Sequence, residues 1–243
     1  MKQGIFEQSL DAQYPLGLRY KEPGPMGRTF HYCKAGGALA YVLHGLANAN
    51  TLHEGNSFGA VSAGGKTITV VDATGTLDQY KDGMLTIFSP AVNPERMPHT
   101  QMLRIKSNTA TLGGYVTLTL KDPLWLDVPS GMFCGWYPNI YGNIESAWAG
   151  PHGFNSFVCV GLIIVTLGYH FWGQTYGFCH GPPFGNPFGL NADERDVYFY
   201  HDGSITLAER VTVGTNSHQR AGYLLPRTSA GGGDQAYMLQ LAP

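Results

Sequence analysis

A chain of 243 residues is long enough to bury a substantial core, as one large all-β domain or two smaller ones. Only 13% of it is charged, about half the usual share of ~25%. The net charge of −2, with no Lys/Arg cluster to neutralise phosphates, speaks against a nucleic-acid partner, while 33 glycines and 12% aromatics suit short strands, tight turns and broad contact surfaces.

In chain order, residues 1–27 carry Pro15, Pro23 and Pro25 without periodicity. Proline offers no ladder donor, so this stretch reads as an extended N-terminal arm. Arg28 to Lys34 alternates as a short strand. Leu39, Val42, Leu43 and Leu46 fall at i, i+3, i+4 and i+7, which predicts one short helix within about residues 37–47, limited by Gly45 and Asn48. Thr67–Val71 and Met84–Phe88 read as strands, the second after an Asp82-Gly83 turn. Strands at 102–106 and 115–120 follow, joined by a turn-rich connection from Asn108 to Gly114 and closed by Asp122-Pro123. Together these make a first β unit over 28–128.

Residues 129–157 hold Phe133, Trp136, Tyr137, Tyr141 and Trp148 among Gly, Pro and Asn, with little alternation. This predicts a long loop insertion. A second β unit, 158–243, packs with the first as one domain. It opens with the apolar run Val158–Leu167, too short to span a bilayer and better read as a strand buried on both faces. Tyr169–Tyr176 is the next strand, bounded by Gly168 and Gly177, and Gly181–Leu190 is a loop with Phe184 and Phe188. Val197–Tyr200 and Ile205–Leu207 flank a turn at His201–Ser204 and form the clearest hairpin. Residues 210–213, 223–225 and 237–241 are weaker closing strands. The fold class is therefore all-β, with antiparallel sandwich or barrel-like units, an extended arm and one short helix.

Reactive constellations are sparse. Cys179-His180 with Cys159 and His170 is the best metal candidate, but the spacings match no finger or ribbon, so no metal and no cofactor are expected. The four cysteines (Cys33, Cys134, Cys159, Cys179) show no C-x-x-C spacing, and Met1 to Leu10 lacks an apolar signal region, so free thiols are expected. The acids Asp193, Glu194 and Asp196, and Asp72, Asp78 and Asp82, sit beside turns, where solvated carboxylates are ordinary. The pairs Gly36-Gly37 and Gly64-Gly65 lack the order of a dinucleotide loop and read as turns. No residue is assigned a catalytic role, and the chain is read as a non-enzyme. The aromatics of 133–148 suit a sugar platform, a protein interface or a small core that holds the loop down. Trp136, Tyr137, Tyr141, Trp148, Phe184 and Phe188 are the contact residues this reading selects.

Three stretches carry a resemblance: Gly27–Leu39, Arg104–Leu124 and Gly168–Gly177. They resemble capsid decoration (cement) and minor capsid proteins of tailed bacteriophages, over about a quarter of the chain. The resemblance implies a virion structural protein, made in the host cytoplasm, that stabilises a shell by non-covalent contacts. Its implied partners are the major capsid protein and neighbouring copies of itself, as a homo-oligomer on the shell, with no membrane. A decoration protein works by contact area, which fits a β scaffold with arms and aromatic loops. The rival readings are a receptor- or glycan-binding virion domain and a glycan-active enzyme, whose paired carboxylates would lie roughly 5–10 Å apart across a cleft.

Overall fold

Every regular element among the described residues is a strand. The computed structural model describes residues 2–25, 27–88, 101–146, 156–184, 195–207, 219–226 and 233–243. The chain forms two compact units: Met1–Ala49 with Tyr141–Pro243, and Asn50–Ile140.

The second unit is built from β4 (His53–Asn56), β5 (Thr67–Val71), β6 (Met84–Phe88), β7 (Gln101–Asn108), β8 (Tyr115–Leu120) and β9 (Phe133–Tyr137). Its antiparallel sheet runs β4-β9-β6-β7-β8-β5. The sheet curls until its ends meet: Ser57 bridges Val70, and the Phe58 amide donates to the Thr69 carbonyl at 2.8 Å. Closure removes the edges that would invite aggregation. Alternation explains these strands. Leu85 and Ile87, Leu103 and Ile105, and Val116, Leu118 and Leu120 all point into one core with Cys134 and Trp136.

The first unit carries a ten-stranded sheet. Its strands are β1 (Arg19–Lys21), β2 (Thr29–Lys34) and β3 (Gly45–Asn48), then β10 (Ile144–Ser146), β11 (Phe157–Gly161), β12 (His170–Gly181), β13 (Asp196–Phe199), β14 (Ile205–Leu207), β15 (Arg220–Leu224) and β16 (Gln235–Gln240). The long strand β12 is the hub, pairing antiparallel with β2, β11 and β16. It runs through Gly177 instead of stopping there. That residue has φ +96° and lies against the Gly27–Arg28 backbone, where a Cβ would come within 3.0 Å of the Arg28 Cα. The expected hairpin of β13 and β14 forms, with Val197 opposite Leu207 and Gly203 in its turn at φ +85°.

Three expectations are corrected. No helix forms over 37–47: Leu39 bridges Val165, the Leu43 amide bonds the Gly161 carbonyl, and β3 starts at Gly45. Each amide is claimed by a different segment, so pairing with neighbours overrides the helical stripe, and Val42 is left 42% exposed. The 129–157 stretch is not one long loop, since it contains β9 and β10. Alternation there is real but disguised, because Gly135 occupies an outward position between Phe133 and Tyr137. Residues 2–25, within the extended arm expected over 1–27, are not an arm apart from the fold either. β1 pairs with β2, and Ile5, Tyr14, Leu16 and Tyr20 pack on Phe30, Tyr32 and Trp172.

Candidate functional site

Alternation along β9 sends Trp136 into the barrel, where it is 1% exposed, and places Phe133, Gly135 and Tyr137 on the other face, Phe133 exposed, Tyr137 half-buried and Gly135 buried under its neighbours. Trp136 therefore supplies core packing and not a contact surface. Tyr141 is also buried, in the first unit, with its ring stacked on His31 at 4.6 Å and 3°. Tyr137 is half-buried and donates its hydroxyl to the Asn50 carbonyl at 3.0 Å. Phe184 is partly exposed and stacks on Tyr200 at 3.8 Å. Trp148 and Phe188 lie outside the described residues.

The surface that sequence reasoning missed is the outer face of β6, β7 and β9. Phe88 lies opposite Phe133, and Thr86 lies opposite both Met102 and Gly135. Gly135 is buried on that face beneath its neighbours. A Cβ at that position would meet the Leu52 Cδ1 at 3.6 Å and the Phe88 Cε1 at 3.7 Å, so both side chains already lean over it. Phe88 and Phe133 stack at 6.1 Å. Met102 (70%), Leu52 (54%), Met84 (44%) and Phe133 (40%) remain in water. Five apolar side chains thus share one sheet face, a clustering that marks contact surfaces. The opposite strands of the same sheet look different: β5 and β8 pair Thr67 with Thr119 and Thr69 with Thr117. The signal available in the sequence was the outward set of β6 and β7, Met84, Phe88 and Met102, where polar residues belong on a solvated face.

Inside the barrel a polar cluster is fully tied to structure. The Tyr80 hydroxyl donates to Asp72 Oδ2 at 2.5 Å, and His53 Nδ1 lies 3.3 Å from the same hydroxyl. Asp72 Oδ1 accepts from the Thr74 and Gly75 amides at 2.9 and 3.0 Å. Burial alone would raise the Asp72 carboxyl, but the Tyr80 and Thr74 bonds and nearby His53 hold it below its ordinary value. Burial and the Asp72 bond push the Tyr80 hydroxyl up, which makes it a poor acid. This arrangement orders the 72–83 turn and exposes no activated nucleophile.

The thiols are free and buried. Burial pushes Cys134 up to about 12 and Cys179 up to about 11, away from the thiolate that nucleophilic or redox work needs. Among the described residues no three His, Cys, Asp or Glu side chains converge to hold a metal ion, and Cys159, His170, Cys179 and His180 make no such group. In the first unit Tyr41, Val42, His44, Ile164 and Asp234 line a shallow cleft of about 280 Å³. Leu43, between them, is held at φ +62°, a conformation rare for a bulky residue. Compared with protein families, curated proteins and solved structures, the chain has no match.

Proposed function

We propose that this chain is a virion structural protein of the capsid decoration (cement) type, which attaches to a phage shell by contact area and performs no catalysis. The observation that supports it is the apolar face of β6, β7 and β9, with Leu52, Met84, Phe88, Met102 and Phe133 gathered around Gly135. Exposed apolar surface with aromatic anchors is what one protein presents to another, and copies repeated over a symmetric lattice multiply a modest interface into firm attachment. The major capsid protein and neighbouring copies are the partners in this reading. The test is to add the purified chain to undecorated shells of tailed phages and image them. Density for the chain at regular positions on the icosahedral lattice supports the reading, and its absence at saturating concentration overturns it. Met102→Ser with Phe133→Ser should reduce occupancy at least tenfold, about the loss of one hot-spot residue.

A second reading, a receptor- or glycan-binding virion domain, is favoured by the cleft in the first unit. An exposed Tyr41 ring beside His44 and Asp234 combines an apolar stacking surface with polar groups that can meet hydroxyls. Saturable binding of a glycan panel, abolished by Tyr41→Ala and untouched by the outer-face double variant, would select this reading over the first.

A further inference from the structure

Residues 2–16 lie across the first unit as a strap, joined to it by one isolated bridge and by side-chain hydrogen bonds. Among the described residues before β1, only Ser9 makes a β-bridge, exchanging backbone bonds with His170 at 3.0 and 2.7 Å. The rest of the attachment is side-chain recognition. Gln3, 2% exposed, is the key. Its Nε2 donates to the His170 carbonyl at 3.0 Å and to the Glu7 carbonyl at 2.9 Å, and its Oε1 accepts from the Tyr32 hydroxyl at 2.6 Å. The Gln3 carbonyl accepts from Trp172 Nε1 at 3.0 Å. Further along, the Gln13 amide donates to the Tyr32 oxygen at 3.0 Å, and Gln8 Oε1 accepts from the Thr166 amide at 2.8 Å.

Beneath the strap is an aromatic seat. Tyr14 lies 5.3 Å from both Tyr32 and Trp172, which are themselves 5.0 Å apart, and Ile5 and Leu16 pack on the same cluster. Lifting the strap would strip the partners from the buried Tyr32 hydroxyl and Trp172 N–H and wet several rings, so the seat demands an occupant. The strap joins the body through Pro15, Leu16 and Gly17, with Gly17 at φ +79°. Its outward residues Phe6 and Leu10 are 63% and 62% exposed, apolar groups that the single chain leaves in water.

We propose that this seat is also a docking site for residues 2–16 of a second copy, so that copies link by exchanging straps. An identical segment brings the same Gln3 key and the same Tyr14 ring, so exchange conserves every contact at the seat. Its cost is confined to association entropy and the rearranged hinge. Because no ladder beyond the single Ser9 bridge holds the strap, its release leaves the sheet of β2 and β12 hydrogen-bonded. Exchange does not rest on the shell reading, since it takes place between free copies in solution.

Two measurements test it. A synthetic peptide of residues 2–16 is titrated against the full-length Gln3→Ala chain, whose own strap is weakened, with the same peptide carrying Gln3→Ala as control. The wild-type peptide should bind saturably and about tenfold or more tightly than the control. Equal binding of the two peptides, or none, overturns the proposal. Should the Gln3→Ala chain fail to fold, the wild-type chain decides alone: light and ¹⁵N-labelled copies are mixed at high concentration and weighed by native mass spectrometry. Dimers of mixed mass that are competed away by the wild-type peptide support exchange. Monomers only, or dimers indifferent to the peptide, refute it.

Discussion

The two units solve the same problem, burying a curled antiparallel sheet, in opposite ways. The second unit uses one uninterrupted stretch, Asn50–Ile140, and one core cluster inside a closed sheet. The first unit is assembled from two separated stretches and holds three clusters around a ten-stranded sheet. Their buried polar groups differ as well. The barrel encloses a carboxylate, Asp72, whereas the first unit encloses the histidines His31 and His170. A single shared core should fail as a whole when its centre is emptied, and a set of clusters should fail piecemeal.

The largest expected effect follows from that contrast. Trp136→Ala empties part of the one core cluster that the barrel's described residues form, and should cost about 3–5 kcal/mol. Hydrogen exchange should then show amides of β5 to β9 losing protection together. Protection lost in β9 alone would mean that the barrel is not one cooperative body. Next in size is Tyr80→Phe. It removes the donor to Asp72 Oδ2 and should cost about 1.5–3 kcal/mol near neutral pH, measured by urea denaturation. An unchanged midpoint would show that Asp72 is satisfied without Tyr80.

The same contrast explains what the sequence revealed. Strands β5, β6 and β8 match their expected limits, because one face of each meets the core and the other meets water, and period-two alternation survives. In the first unit β2 is buried at Thr29, Phe30, His31, Tyr32 and Cys33 in succession, and β3 is buried throughout. β2 is nevertheless legible as the strand expected over Arg28–Lys34, whereas β3 starts only at Gly45, near the end of a Leu39–Leu46 stripe whose spacing mimics a helix. The arm was read from proline content, while the residues that pin it, Gln3 and Tyr14, are spaced by no periodic rule. Of the contact residues, Trp136 and Tyr141 were chosen for type and prove to be packing. The apolar face around Gly135 exists only once β6, β7 and β9 are in register.

A smaller effect probes the first unit's packing. Gly173 sits in β12 between two thiols, where a Cβ would come within 2.5 Å of Cys159 Sγ and 3.2 Å of Cys33 Sγ. Gly173→Ala should cost about 1–3 kcal/mol by overpacking, and Cys159→Ala should recover part of that loss by vacating the space. Additive losses in the double variant would place the strain against the Cys159 Cβ, 2.7 Å from the new methyl, and not against the sulfur.

The smallest effect at neutral pH is also the one that separates the units most cleanly. Burial, with the charge of Arg19 nearby, holds His31 below its ordinary 6.5. Burial also lowers His170, outweighing the Ser9 and Leu10 carbonyls that favour its proton. In the unfolded chain both histidines take up protons as pH falls through about 6.5, while the folded unit resists until lower pH. The unfolded state therefore binds more protons in that window, and the first unit loses stability as pH drops below about 6.5. Asp72 loses stability in the same direction but at lower pH: its folded value lies below 3.8, so the stability it contributes is present above the unfolded carboxyl range and fades only as pH falls through and below it. Acid titration followed by hydrogen exchange should show the first unit loosening while the barrel stays protected. His31→Phe should flatten the first unit's response between pH 7 and 5. If the barrel loosens first, or the slope survives the loss of His31 and His170 together, the neutral buried histidines are not what sets the first unit's acid sensitivity.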